Sequence, residues 1–320
     1  MDYVPLGRSG LRVSRICLGA FGFGDPAWQP WVLDDEGARP IIRRALELGI
    51  NFFDTADMYS NGASERVLGK ALREFARREE VVVCTKAFHP TGPSVNERGL
   101  SRRHLLEAID RSLANLGMDH VDVYQIHRLD QSVPMEETLE ALHDIVRAGK
   151  ARYIAASNML AWQFAKALGI QERRGWARFI AMQNQYNLVY REEEREMIPL
   201  CLAEGIGYTP YSPLARGFLA GKAGSARAQH DSFIARFHGG EADAAIRGRL
   251  QKVASHLGAA PARVALTWLL GRPGMTSPVV GATKLEHIEE AVAATASKLG
   301  DDDARLLEEL YRPRSVLLHL

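Results

Sequence analysis

The chain is 320 residues long, 46% hydrophobic and 25% charged, enough apolar surface for one large α/β barrel or two smaller domains. Its 40 basic residues offset 39 acidic ones, leaving a net charge of +1, so neither nucleic acid nor a membrane surface is expected as the main partner. Cys17, Cys84 and Cys201 stand far apart without CxxC or Cys/His spacing, which argues against a disulfide framework or structural zinc and leaves a reducing cytoplasm as the expected compartment.

The opening MDYVPLGRSG has no basic cluster ahead of an apolar stretch, and no later run approaches the roughly 18 apolar residues of a membrane helix, so a soluble, unprocessed protein is expected. DYVPLGRSGLRVSRICLG reads as a hairpin about the turn signal Gly7-Arg8-Ser9-Gly10, followed by an apolar run at Ile16 to Leu18. GAFGFG (19–24) has its glycines in the wrong order for a dinucleotide-binding G-x-G-x-x-G and reads as a turn into a loop.

A rhythm then sets in. EGARPIIRRALELG is helical and ends at Gly49, INFF is a short buried strand, and ASERVLGKALREFARR is helical again. VVVCT (81–85) precedes a helix from about Ser101 to Leu116, whose serine is placed as a cap. VDVYQI, the helix MEETLEALHDIVRAG, ARYIAAS, a helix from about 160 to 170, and FIAMQ follow. Next come the helix REEEREMIPLCLAEG, the strand GYTP, a long loop from Tyr211 to about 240, two helices between 243 and 270, the strand PVVG, and the helix LEHIEEAVAATA. Eight strands alternating with helices, with no Pro/Gly/Ser linker, predict a single domain over 1–320, an α/β fold of the (β/α)8 TIM-barrel type. It carries an N-terminal β-hairpin and a C-terminal extra helix and tail expected to fold over the barrel mouth.

In such barrels the active site forms where the strands end, so the polar residues after each apolar run are informative. Asp54 follows INFF, Lys86 follows VVVCT, His127 follows VDVYQI, Ser157 and Asn158 follow YIAA, Gln183 follows FIAM, and Tyr211 follows GYTP. Singly, Asp54 reads as a turn cap, Lys86 as solvated and His127 as a satisfied core histidine. Jointly, three ionisable groups at the ends of successive strands point into one pocket.

A phenol has an ordinary pKa of about 10, and a nearby ammonium favours the phenolate. Lys86 is placed to lower the pKa of Tyr59, Asp54 to hold Lys86, and His127 to hydrogen-bond a substrate oxygen, a set suited to protonating a carbonyl as hydride arrives at its carbon.

GINFFDTADMYSNGASE, CTKAF, VDVYQIHRLD, AASNM, MQNQYN, YSPLARGFLAGK and PVVGATKLEHIEE together resemble the successive signatures of the aldo-keto reductases, in the same order across nearly the whole chain. The LGRSGLRVSR opening and the YSPLARG stretch resemble a bacterial branch most closely. The resemblance implies a catalytic tetrad of Asp54, Tyr59, Lys86 and His127, with Tyr59 as general acid. It implies that Ser157, Asn158 and Gln183 bind a nicotinamide carboxamide, that Tyr211 stacks on the ring, and that Ser212, Leu214 and Arg216 lie along the pyrophosphate.

Gly281, Thr283, Lys284, His287 and Glu290 fall where the resemblance places the adenosine end, with Lys284 facing the 2′-phosphate, Thr283 donating a hydrogen bond and NADPH as the expected cofactor. Many relatives carry arginine, glutamine and asparagine where this chain has Thr283, His287 and Ala291. Phe23, Trp28, Trp31, Phe88 and His89 are the candidate wall of a pocket for a small-molecule carbonyl: an aryl aldehyde, a polyketide-like ketone or a sugar. Two rival readings are a non-catalytic relative resembling the channel-associated β subunits of the superfamily, and a metal-dependent barrel hydrolase. The latter would need several convergent imidazoles or carboxylates, and no His-x-His follows the first strand.

Overall fold

Strand and helix alternate through residues 1–220, 238 and 240–316, the part of the chain that the computed structural model describes. The hairpin pairs β1 (Tyr3–Pro5) with β2 (Arg12–Ser14) in antiparallel register. Then come β3 (Cys17–Gly19), α1 (Asp35–Glu47), β4 (Phe52–Asp54), α2 (Ala63–Phe75), β5 (Val82–Ala87), α3 (Arg102–Leu116), β6 (Val121–Ile126), α4 (Met135–Arg147) and β7 (Ala151–Ser157). The later cycle is α5 (Ala161–Arg174), β8 (Phe179–Gln183), α6 (Met197–Glu204), β9 (Gly207–Tyr208), α7 (Glu241–His256), α8 (Pro261–Leu270), β10 (Val279–Gly281), α9 (Leu285–Ala296) and α10 (Asp301–Glu308).

Among the described residues, β3 to β10 form one parallel sheet in the spatial order β10-β3-β4-β5-β6-β7-β8-β9. The ends meet: Val279 N donates to Pro210 O at 2.9 Å, and Tyr208 exchanges bonds with Thr276, its N–H donating to Oγ1 at 3.1 Å. The sheet therefore curls into the expected (β/α)8 barrel.

Residue parity then sorts the side chains. Cys17, Phe52, Val82, Cys84, Val123, Ala155, Ala181 and Val279 form the barrel interior, while their neighbours Leu18, Phe53, Val83 and Tyr124 pack under the helices. Two steps along the same parity come Asp54, Lys86, Gln125, Ser157 and Gln183.

Leu6 and Val13 of the hairpin join this interior cluster and close the floor. Gly7 makes that seat possible: at φ +63°, a Cβ there would lie 2.5 Å from Ile180 O and 2.7 Å from Gly205 O.

Local differences from the sequence reading have local causes. The helix expected over 191–205 starts only at Met197, after a 3₁₀ turn at Glu192–Glu194, because Pro199 is tolerated in a first turn but not further in. The helix expected to stop near 170 runs to Arg174, where Gly175 takes the left-handed cap at φ 66°. The Ser101 cap forms, its hydroxyl accepting from His104 N at 3.2 Å. Residues 221–237 and 239 of the long loop lie outside the described residues.

The C-terminal segment is described as far as residue 316. Glu308 accepts from Trp268 Nε1 at 2.8 Å and Arg272 Nη1 at 2.6 Å, and Tyr311 OH donates to Glu192 Oε1 at 2.6 Å. These polar partners hold it against α8 and the loop that leaves β8 at the mouth end.

Candidate active site

Asp54 ends β4, and its register partner on β5 is Cys84, two residues short of Lys86. The strands thus carry both side chains inward at the mouth end. Lys86, with no exposed surface, donates to Asp54 Oδ1 at 2.5 Å and to Thr55 O at 2.8 Å. Asp54, 2% exposed, also accepts from Gln183 Nε2 across the barrel at 2.9 Å. A buried carboxylate and ammonium are costly apart and tolerable together, more so when further bonds are added, as Thr55 O and Gln183 Nε2 add them here. Burial alone would depress the Lys86 ammonium, but the fields of Asp54 and then Tyr59 outweigh it, and its pKa is raised.

Tyr59 reaches the site from the turn after β4. Ser60 and Asn61 follow it with φ 51° and 50°, a conformation that non-glycine residues seldom adopt. The Lys86 ammonium lies 5.2 Å from the Tyr59 ring centroid. The expected drop in the phenol pKa is not the net result. Burial raises it, Lys86 pulls it down and Asp54 pushes it up again, leaving it above the ordinary tyrosine value because the ring is enclosed.

His127, just past β6, faces Tyr59 with the rings 5.7 Å apart and nearly perpendicular. Burial first, then Lys86 and His89, push its imidazole well below the usual histidine range, so the ring is neutral. Its Nδ1 is buried without a hydrogen-bond partner.

Behind this group lies a polar lattice. Ser157 Oγ donates to Gln183 O at 2.6 Å, and Asn158 Nδ2 donates to His127 O and to Ser157 Oγ, both at 3.0 Å. Tyr211 OH donates to Asn158 Oδ1 at 2.9 Å. Ser212 and Arg216, at φ 52° and 58°, shape a 3₁₀ turn that includes Leu214's hydrogen bonds to Gly217 N and Leu219 N.

At the start of α9, Gly281, Thr283, Lys284 and His287 are exposed, and Thr283 N donates to His287 Nδ1 at 3.3 Å. Among the described residues Lys284 makes no ion pair. Glu290, expected at the adenine end, forms a two-bonded pair with Arg263 of α8, 2.8 Å at each contact.

The aromatic wall also differs from expectation. Phe23 is 0% exposed in the core, which leaves it no face for a ligand, while Trp31 keeps the same 9% exposure as Tyr59. The 3₁₀ turn at Ala20–Gly22 rotates Phe21 outward instead, and its ring meets Tyr59 edge-on at 4.9 Å with Trp28 beyond it at 5.3 Å. Phe88 and His89 are half-buried at the opposite side. His89 stands edge-on to His127 at 4.8 Å, its pKa pushed down to about 4 by burial and Arg128.

Sequence reasoning passed over Phe21 and Gln125. Strand parity was the available signal for Gln125, the register partner of Lys86. Phe21 is distinguished only by a contact across the fold.

Among the described residues no His, Cys, Asp and Glu side chains gather in a group of three or more fit for a metal ion. The donor set does suit a nicotinamide: the Asn158 and Gln183 amides with the Ser157 hydroxyl match a carboxamide, and Tyr211 has a ring for a flat heterocycle. A lone exposed ammonium suits a phosphate.

A barrel with a buried Asp–Lys pair, a tyrosine and a neutral histidine at its mouth is the arrangement of a carbonyl-handling oxidoreductase. The chain belongs to the aldo/keto reductase family, whose model matches residues 15–312. The versiconal hemiacetal acetate reductase of Aspergillus parasiticus is 44% identical over 99% of this chain and 98% of its own. The aldo-keto reductase dtxS3 of Metarhizium robertsii is 42% identical over 100% and 93%, and a Saccharomyces cerevisiae protein provisionally named an aryl-alcohol dehydrogenase is 36% identical over 97% of each. These relatives are fungal, so the expected placement in a bacterial branch does not hold. The hairpin it rested on serves the barrel floor, and the YSPLARG stretch the loop after β9; neither role is tied to a lineage. No described helix is long and apolar enough to cross a membrane.

Proposed function

We propose that this oxidoreductase reduces an aldehyde or ketone to the alcohol, with Tyr59 delivering the proton to the carbonyl oxygen. The reading rests above all on Lys86: a fully buried ammonium fixed by two short bonds and set 5.2 Å from the Tyr59 ring. NADPH, when bound, supplies the hydride. Ser157, Asn158, Gln183 and Tyr211 would hold its nicotinamide, Ser212, Leu214 and Arg216 its pyrophosphate, and Gly281, Thr283, Lys284 and His287 its adenosine end.

The protein's own part is electrostatic and geometric. Neutral His127 donates from Nε2 to the carbonyl oxygen and orients it toward the phenol. Lys86 stabilises the phenolate left when the proton departs, and Asp54 keeps Lys86 in place while Gln183 keeps Asp54 in place.

Tyr59→Phe should cut carbonyl reduction about 10²–10⁴-fold and leave cofactor affinity near parental. Steady-state rates over a panel of aldehydes, with a fluorescence titration of NADPH alongside, test this. Near-parental rates with intact folding would move the acid's role to another group. The same panel separates an enzyme from a cofactor-binding relative without turnover.

A further inference from the structure

Ser60 is an odd choice for its position. It follows Tyr59 in the left-handed region at φ 51°, where glycine would sit without strain, yet it is 4% exposed and carries a side chain. That side chain is used. Its hydroxyl accepts from Asp25 N at 2.8 Å and donates to Asp25 O at 3.2 Å, so one Oγ holds both main-chain groups of a residue in the loop after β3.

The approach is close. Gly24, at φ +142°, leaves room only because it has no side chain, for a Cβ there would lie 2.5 Å from Ser60 Cβ. The clasped loop carries Phe21, whose ring meets Tyr59, and Trp28, whose ring meets Phe21 in a T-shaped contact on from it.

We infer that Ser60 is a specificity-determining positioning residue: its hydroxyl clasps the loop 20–31 to the Tyr59 turn and so pre-forms the aromatic wall that a wide carbonyl substrate meets. The inference rests on the carbonyl-reductase reading for its substrate half and on geometry alone for its clasp. A wall fixed before binding spares the substrate the ordering of two aromatic side chains. A short aliphatic aldehyde, touching only Tyr59 and His127, gains nothing from it.

Two variants separate the clasp from the backbone strain. Ser60→Ala removes the hydroxyl and keeps the unfavourable φ, while Ser60→Gly removes the hydroxyl and relieves it, so the glycine variant should melt at the higher temperature of the two. If the clasp sets the wall, both should raise KM for an aromatic aldehyde about three- to tenfold with kcat within about twofold of parental, and leave propanal kinetics unchanged. Amide hydrogen exchange in the 21–31 segment should quicken in both.

A Ser60→Gly enzyme that recovered parental KM along with its stability would overturn the inference, because strain and not the hydroxyl would then be what mattered. Unchanged exchange in 21–31 would overturn the clasp itself. A parent that reduced no carbonyl would overturn the functional reading and the substrate half with it, while the exchange measurement would still decide the clasp.

Discussion

Asp57 sits two residues before Tyr59 with 5% of its surface exposed and neither carboxyl oxygen paired. Burial raises its pKa well above the usual carboxylate range, and Glu65 adds to this. The Met58 amide, Arg111 and Lys86 pull it down without restoring it. Glu65 is itself raised by burial, although Thr85 and Asn115 donate to it. A carboxyl whose folded pKa exceeds its unfolded one binds its proton more tightly in the folded state. Its stabilising effect is complete below the ordinary carboxylate pKa and is lost as pH rises through the raised value. Urea midpoints should therefore fall as the pH climbs from the ordinary carboxylate range into the neutral one. Asp57→Asn, which mimics the protonated form, should flatten that fall. A parent and variant with parallel profiles would mean that Asp57 keeps its charge in the folded protein.

The helix start at Lys284 is the element that sets cofactor choice in this reading. Lys284 opens α9 with no side-chain capping bond and no described ion pair, so its charge is available to a ligand. Lys284→Glu should weaken NADPH binding about tenfold or more and NADH binding much less, which paired fluorescence titrations would reveal. Equal affinity of the parent for both cofactors would remove the phosphate from this helix start.

Elements of this kind were largely legible in the sequence, because strand ends and caps are local signals: Asp54, Lys86 and His127 each follow an apolar run, and Ser101 announces its helix. The aromatic wall was not. Phe21 and Phe23 occupy near-identical local settings in GAFGFG, and their different fates, one ring against Tyr59 and the other in the core, show only in contacts made across the fold. The pairing of Glu290 with Arg263 was hidden for the same reason, since the arginine lies on a different helix.

Closure of the whole barrel depends on its shortest strand. β9 has two residues, and the seam to β10 leans on a side chain, Thr276, whose hydroxyl accepts from Tyr208 N where a longer strand would offer a carbonyl. Thr276→Val keeps the shape and leaves that buried N–H without its acceptor, which should cost about 1–3 kcal/mol, read as a lower denaturant midpoint with an unchanged slope. Full stability in the variant would mean the seam holds without this bond.

The floor is settled still later in the life of the chain. Arg8 N donates to Gly205 O, and Arg15 holds the carbonyls of Leu270, Met275 and Thr276, the first of them 255 residues away. During translation Leu6 and Val13 must therefore wait, apolar and only partly covered, until β8 and the Gly205 turn have been made, and Arg15 waits longer still for its three carbonyls. A product that ends before β8 has neither Ile180 nor Gly205 for the hairpin to seat against, which makes it a natural substrate for holdase chaperones and for proteolysis.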